Sequence, residues 1–552
     1  GYDKFNKVEE VSIKVYNSLG FEVQKYKKKD FEVSSAYDGV SLITDDKVIT
    51  LTTPAPGYPC SVEIEYELQA SSYIDLPDWY VNNKETSTEV FRYIVKVPAE
   101  MDIRYRSVNM KLDPVIEASG KQKIYTWEAK NIAVKKLEDY GYEASKYMPR
   151  VEVAPNIFEY DGYAGEFRTW RDFGKWCYSL YEQKDAFNER RTAEIKSIVS
   201  GLPDAKAKVN ALYSYLKKNM RYVSIQLGIG GFKPFAVKFV DEKKYGDCKA
   251  LTNYMRHLLA VAGIVSYPAL INAGYNSCPA DRNFPSNVFN HVILCVPDKK
   301  DTIWLECTSN NSATGFLGSF TENKNALVLT ENGGVFVRTP ESNFENSKLF
   351  SHTEIRLNEE GGAEVTSTIY STGNYSEMFY EIDQLNDDRK KEVFVQYLNY
   401  RQADQFSFVN KNLDAADSVS LSQLYTKFYD FTAGNKLFLP YRVNPLCDEE
   451  VKSTTGRETE YLFRFPYIKR DTTILHLPGR FTIDHIPEAK QLENEFIAYK
   501  NEVKPNGKTI QVIGQLILKK NIIPAKEYQN LALLINSINQ DQQQKIVIRK
   551  PE

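Results

Sequence analysis

The sequence is poor in histidine: five imidazoles serve 552 residues, so chemistry that needs one has few places to sit. Cysteine is thin as well. The seven, Cys60, Cys177, Cys248, Cys278, Cys295, Cys307 and Cys447, are odd in number, scattered and never spaced as CxxC. That argues against a disulfide framework and a cysteine-based zinc site, and most are expected as small buried hydrophobes. No apolar run reaches the roughly 18 residues that cross a membrane as a helix. Neither charge sign dominates: the formal net charge is −3, which leaves no basic footprint for nucleic acid. No internal repeat, low-complexity tract or long linker breaks the chain. A leader is missing too. The chain begins Gly1-Tyr2-Asp3 without methionine, so its first residues do not speak to export.

Aromatics and short alternating runs are plentiful, with 37 Tyr and 29 Phe. This suits sheets with one wetted face, and the length suits about three domains. The expected fold is multidomain α+β. Residues 1–155 read as an antiparallel β-sandwich, in which SVEIEYELQ puts Val62, Ile64, Tyr66 and Leu68 on one buried face and Trp127 joins the core. Residues 156–340 read as an α+β core. Trp170, Phe173, Trp176 and Leu180 form one helical stripe, and Val209, Leu212, Leu216 and Met220 another. Residues 341–552 return to strands. HTEIRLNEEGGAEVTSTIYST is a hairpin turning at Gly361 and Gly362, NDDRKKEVFVQYLNYRQ is a helix, and Tyr528, Leu531, Leu534, Ile535 and Ile538 stripe a late one.

The chemistry concentrates in residues 240–310. VDEKKYGDCKALTNYMRHLLAVAGI is a turn running into a helix, with Asp247 as N-cap and Leu251, Met255, Leu258 and Leu259 on one face. Cys248 therefore falls in the first turn, where unpaired N–H groups and the helix dipole favour a thiolate. FNHVILCVP puts His291 at the start of one β run, and TIWLECTSNN puts Glu306 at the end of the next; PDKKD between them makes a hairpin. If Val296 opposes Ile303, His291 and Glu306 share a face and touch diagonally; a slip of one residue separates them. A helix-start cysteine, a strand histidine and a same-face carboxylate make a nucleophile, its base and the group that orients the base. The other histidines fit less well: His257 lies beyond the first turn of the cysteine helix, and His352, His476 and His485 fall far downstream. Gln226 is a candidate oxyanion donor, with plain exposure as the alternative. The loop NSCPADRNFPSNV just before His291 is a candidate substrate loop or an ordinary surface one.

GDCKALTNYM, FNHVILCV and WLECT together resemble the core of the transglutaminase-like superfamily, whose fold is similar to that of papain-like cysteine proteases. RYVSIQLGIGGFKP resembles the segment ahead of the cysteine in a bacterial group with a β-rich, DUF3857-like domain before the core and a β-rich domain after it. The resemblance implies Cys248 as nucleophile, His291 as base and Glu306 in the acid's place, where the family usually carries Asp. It implies a cysteine-dependent acyl transferase acting on protein or peptide amides, most simply a protease or amidohydrolase. No metal or organic cofactor is called for. It further implies a periplasmic or envelope-associated protein, with a protein or peptide as partner and no nucleic acid. Two other readings stand beside it: true amine crosslinking at the same site, and a non-enzymatic envelope binding protein whose core is a scaffold.

Overall fold

Alternation in the sequence becomes strand along most of the chain. A computed structural model describes residues 2–36, 43–44, 46–182, 186–299, 301–413, 416–452 and 456–551. With 39% strand against 21% helix, the protein is a mainly β, multidomain chain. Among the described residues no helix is long and apolar enough to cross a membrane.

Three antiparallel three-stranded sheets occupy the first part. One carries Gln122–Ile132 between Val115–Ser119 and Thr88–Pro98; another carries Arg150–Pro155 between Trp79–Tyr80 and Ile103–Val108. A single apolar cluster joins the two, with Phe91, Ile103, Tyr125, Val151 and Val153 around Trp127, which is 0% exposed. Tyr93 stacks on the indole at 5.6 Å and Tyr105 meets it edge-on at 5.4 Å. Trp127→Ala is therefore expected to cost about 3–5 kcal/mol. Calorimetry should show one unfolding transition moved down, with the reactivity of Cys248 unchanged.

The third sheet departs from expectation. Its strand Ser61–Ala70 lies at the edge, against the central strand Asn6–Tyr16. Val62, Ile64, Tyr66 and Leu68 do share a face, but they are 48–59% exposed instead of buried. Their cross-strand partners Val15, Ile13, Val11 and Val8 are the buried ones. Period two assigns a residue to a face; it does not say how far along the sheet that face is covered.

A five-stranded antiparallel sheet organises the middle of the chain, in the order Asp301–Leu305, His291–Asp298, Tyr267–Ile271, Asn325–Thr330, Gly333–Arg338. Accompanying it are α1 (Trp170–Tyr181), α2 (Glu189–Val199), α3 (Ala205–Asn219), α4 (Val237–Lys243) and α5 (Cys248–Val261), with a short helix, Gly318–Thr321, ahead of Asn325–Thr330. The two predicted stripes lie on α1 and α3 and are buried. From α5, Leu251, Met255, Leu258 and Leu259 pack with Leu294, Val296 and Leu305 of the sheet and with Val209, Leu212 and Leu216 of α3. From α1, Trp170 and Phe173 pack against Leu270, Val292 and Leu327. The opposite face is closed by Ala269, Ile293, Cys295, Trp304 and Val328.

Downstream lies an eight-stranded sheet, antiparallel except where Lys348–Leu357 runs parallel to Tyr467–His476. The hairpin at Gly361 and Gly362 forms as predicted, closing on the pair Leu357 and Ala363. The helix Asn374–Asp383 buries a stripe of Tyr375, Phe379 and Ile382; it reaches back toward the five-stranded sheet, where Asn311 donates to Ser376 O at 3.2 Å.

Candidate active site

The start of α5 is built by local chemistry. Asp247 caps it, its carboxylate accepting from Ala250 N at 3.0 Å. Gly246 precedes it because a Cβ there would lie 2.8 Å from that of Ala250, too close for any side chain. Gly246 also bridges to Tyr222 in parallel, and its carbonyl accepts from Val223 N at 2.9 Å. The segment leading to Gln226 is thereby clamped beside the helix start. Cys248 occupies the first helical position, 6% exposed. Its N–H, like others of a first turn, has no acceptor within the helix. One turn on, Thr252 donates to Val292 O at 3.3 Å and ties α5 to the strand of His291.

The hairpin adopts the predicted register, with Val296 opposite Ile303, and the pairing ends at Leu294 and Leu305. Glu306 is the first residue beyond the ladder. Its carbonyl accepts from Tyr213 OH of α3 at 2.7 Å, and Thr308 donates to Oε1 through its hydroxyl at 2.6 Å and its N–H at 3.1 Å. The carboxylate is thus turned onto His291, whose Nε2 donates to Oε2 at 2.9 Å and lies 3.1 Å from Oε1. The longer side chain that replaces the expected Asp reaches the imidazole. With Nε2 committed, the ring's other nitrogen is the one left for Cys248, which lines the same cavity. Asn290 pins the strand's first turn, accepting from Ala273 N at 2.7 Å and donating to Ala273 O at 3.0 Å.

Burial works against a charged imidazole, yet His291 titrates upward, to about 10, because the Glu306 carboxylate and the contact with Cys248 outweigh the desolvation. For Glu306 burial opposes the charge as well, and the imidazolium with the Thr308 donors hold the carboxyl below its ordinary range. The favoured state is a buried imidazolium–carboxylate pair, with the Cys248 sulfur in the same cavity. Burial raises the thiols of Cys177, Cys295, Cys307 and Cys447, pushing Cys295 up to about 11 and Cys447 to about 12.

Cys248 and His291 share a cavity of about 460 Å³ with Tyr222, Gln226, Phe289 and Phe320. Phe320 sets its ring edge-on to the imidazole at 5.1 Å. It also lines a second cavity of about 510 Å³, which takes in Glu306 and reaches Glu377 and Arg464 far downstream. The loop before His291 is held in place: Arg104 donates to Pro285 O at 2.6 Å, Trp170 Nε1 to Asp281 O at 2.9 Å, and Arg106 pairs with Asp281. Its end still reaches the first cavity through Asn287. His257, by contrast, turns to Asn253 O on its own helix at 2.9 Å. Thr252, Tyr213 and Thr308 carry no signal in the sequence that marks them as supports for the trio. Among the described residues no three metal-ligating side chains cluster.

Residues 1–136 match the family described as a domain of unknown function with solved structure, DUF3857, and residues 435–548 match DUF3858, described in the same words. Among curated proteins no relative matches the chain. A structure described as a "putative protease" from Parabacteroides distasonis shares the fold at a TM-score of 0.63 and 11% identity, covering 99% of this chain and 90% of that one. A "putative cysteine protease" from Cytophaga hutchinsonii aligns over 47% of this chain and 74% of its own at 9% identity, with a TM-score of 0.20. The periplasmic domain of TgpA from Pseudomonas aeruginosa aligns over 55% and 88% at 12% identity, with a TM-score of 0.18. The last two scores are too low to bear on the fold.

Proposed function

From a transglutaminase-like chain carrying DUF3857 and DUF3858 segments, we propose a cysteine-dependent acyl-transfer enzyme that cleaves peptide or protein amides. Its units are residues 1–155, a β-sandwich; 156–340, a papain-like α+β core; and 341–552, a β-rich domain with helices. The observation that carries the reading is the buried contact of His291 Nε2 with Glu306 at 2.9 Å, made by a ring that lines one cavity with Cys248. Cys248 thiolate attacks the amide carbon, and His291 imidazolium protonates the departing amine as the C–N bond breaks. Water then attacks the thioester, His291 takes its proton, and the thiolate and a free carboxyl group are released. Glu306 holds the ring and its charge throughout.

What supports catalysis over a bare scaffold is the cavity of about 460 Å³ in which thiol and imidazole both take part. An amine in place of water would make the same thioester a crosslinking intermediate. An envelope location follows the resemblance alone.

The test is alkylation. Iodoacetamide at neutral pH is expected to modify Cys248 first, by peptide mapping, because burial holds back the thiols of Cys177, Cys295, Cys307 and Cys447. Labelling that spares Cys248 or spreads evenly over the thiols would sink the proposal.

A further inference from the structure

One residue past the thiol, the side chain of Lys249 turns inward and is buried. Stability gives little reason for a lysine there, since a buried ion pair holds a fold no better than apolar side chains of the same volume. Its Nζ pairs with the Asp247 carboxylate, which is buried and already engaged on Ala250 N. The same Nζ donates to Gln226 Oε1 at 3.1 Å. Gln226 belongs to the segment that the bridge from Tyr222 to Gly246 clamps against the helix start. Lys249, Gln226, Cys248 and His291 all line the same cavity.

A carboxamide has one accepting end and one donating end, and an ammonium can only donate. The Lys249 ammonium therefore settles which way the amide of Gln226 faces: Oε1 toward the lysine, Nε2 away from it. One Nε2 hydrogen goes to Ser224 Oγ at 3.2 Å, and Ser224 is itself buried. The second hydrogen remains for the cavity.

We propose that Lys249 is a positioning residue. Acting through Gln226, it aims an amide N–H at the oxyanion that forms on the acyl carbon when Cys248 attacks. The N–H of Cys248 itself, unpaired at the helix start, is the second donor. This rests on the thiol reading above. It adds a reason for the buried ion pair that helix capping does not supply, because Asp247 caps α5 through its other oxygen. Without the ammonium the amide is free to turn its oxygen toward the cavity, where it would repel a developing oxyanion.

Two probes separate this role from a structural one. Alkylation by iodoacetamide passes through no oxyanion; acylation by p-nitrophenyl acetate does. Lys249→Met and Gln226→Ala are each expected to slow acylation about 100-fold, in kcat rather than KM, and to leave the alkylation rate of Cys248 within about twofold. The double variant is expected to be no slower than either single one, since both act at one donor. Lys249→Arg should recover part of the loss, and Asp247→Asn with Lys249→Met, which leaves no unpaired buried charge, should behave as Lys249→Met. Unchanged acylation in Lys249→Met, additive losses, or equal losses of acylation and alkylation overturn the proposal. A wild-type protein that alkylates at Cys248 but is never acylated overturns it alone. One that does neither overturns the thiol reading, and this proposal with it.

Discussion

Cys248→Ala is expected to abolish acyl transfer to an activated ester or a peptide amide, by about 10⁴-fold or more, with the fold intact. His291→Ala should lose nearly as much, and the two together little more than either alone, if the proposed nucleophile and base act as a unit. The geometry sets the size of the effect. Cys248 stands at a helix start within a cavity, and its imidazole partner is already oriented by Glu306. Replacing the thiol by a methyl group removes one buried sulfur that touches the cavity, so the unfolding midpoint should move little. The measurement is the release of p-nitrophenol against time, first burst and then steady state, beside a thermal melt. A variant that keeps its burst would place the reacting thiol elsewhere. Cys60, which is half-buried, is then the first to examine.

Glu306→Gln should produce the second large effect, and its sign follows from the competing forces on the ring. Burial pulls the His291 imidazolium down; the Glu306 carboxylate and Cys248 carry it up to about 10. Without the carboxylate charge burial gains, so the alkaline limb of Cys248 alkylation, expected near pH 10 in the wild type, should fall by about 1–3 pH units. Acyl transfer at neutral pH should drop by about 10²–10⁴-fold, because the ring loses both its charge partner and its fixed orientation. Stability changes with the same groups. A raised histidine contributes stability that is full below its ordinary 6.5 and lost as pH rises through about 10. A lowered carboxyl contributes stability that is full above its ordinary 4.5 and lost as the pH falls through its folded value. The gap between wild type and variant should therefore be widest between pH 4.5 and 6.5, about 3 kcal/mol, and close toward pH 10. Denaturant titrations at pH 5.5, 8 and 10 would check it. A gap that is flat across that series would mean that the pair is not charged in the native protein.

The expected outcomes rest on features of two kinds. Some were readable from short stretches of sequence. The cap and apolar face of α5 placed Cys248 at a helix start, and alternation around PDKKD set the hairpin register that puts His291 and Glu306 on one side. The stripes of α1 and α3 and the burial of Trp127 were readable in the same way. Other features have no local signature. The edge strand Ser61–Ala70 shows the alternation of a buried strand, yet its apolar face is open, since no described residue covers it. Glu306 leaves the ladder, and its backbone there is held by Tyr213, 93 positions away in the chain, while Thr308 steadies the carboxylate. Gln226 reaches the thiol's cavity because residues 221–223 lie against 244–246 and its own strand pairs with Ile43–Thr44.

By itself the sequence determined which residues could form a thiol, imidazole and carboxylate site and which faces they would share, because capping and periodicity act within one or two turns of a helix or a few residues of a strand. The tertiary structure alone decided that His291 meets Glu306 and shares a cavity with Cys248, that the carboxylate is held on the ring, and that Lys249 turns inward toward Gln226. Those outcomes depend on contacts between segments tens of residues apart, and such contacts are set by how sheets and helices stack.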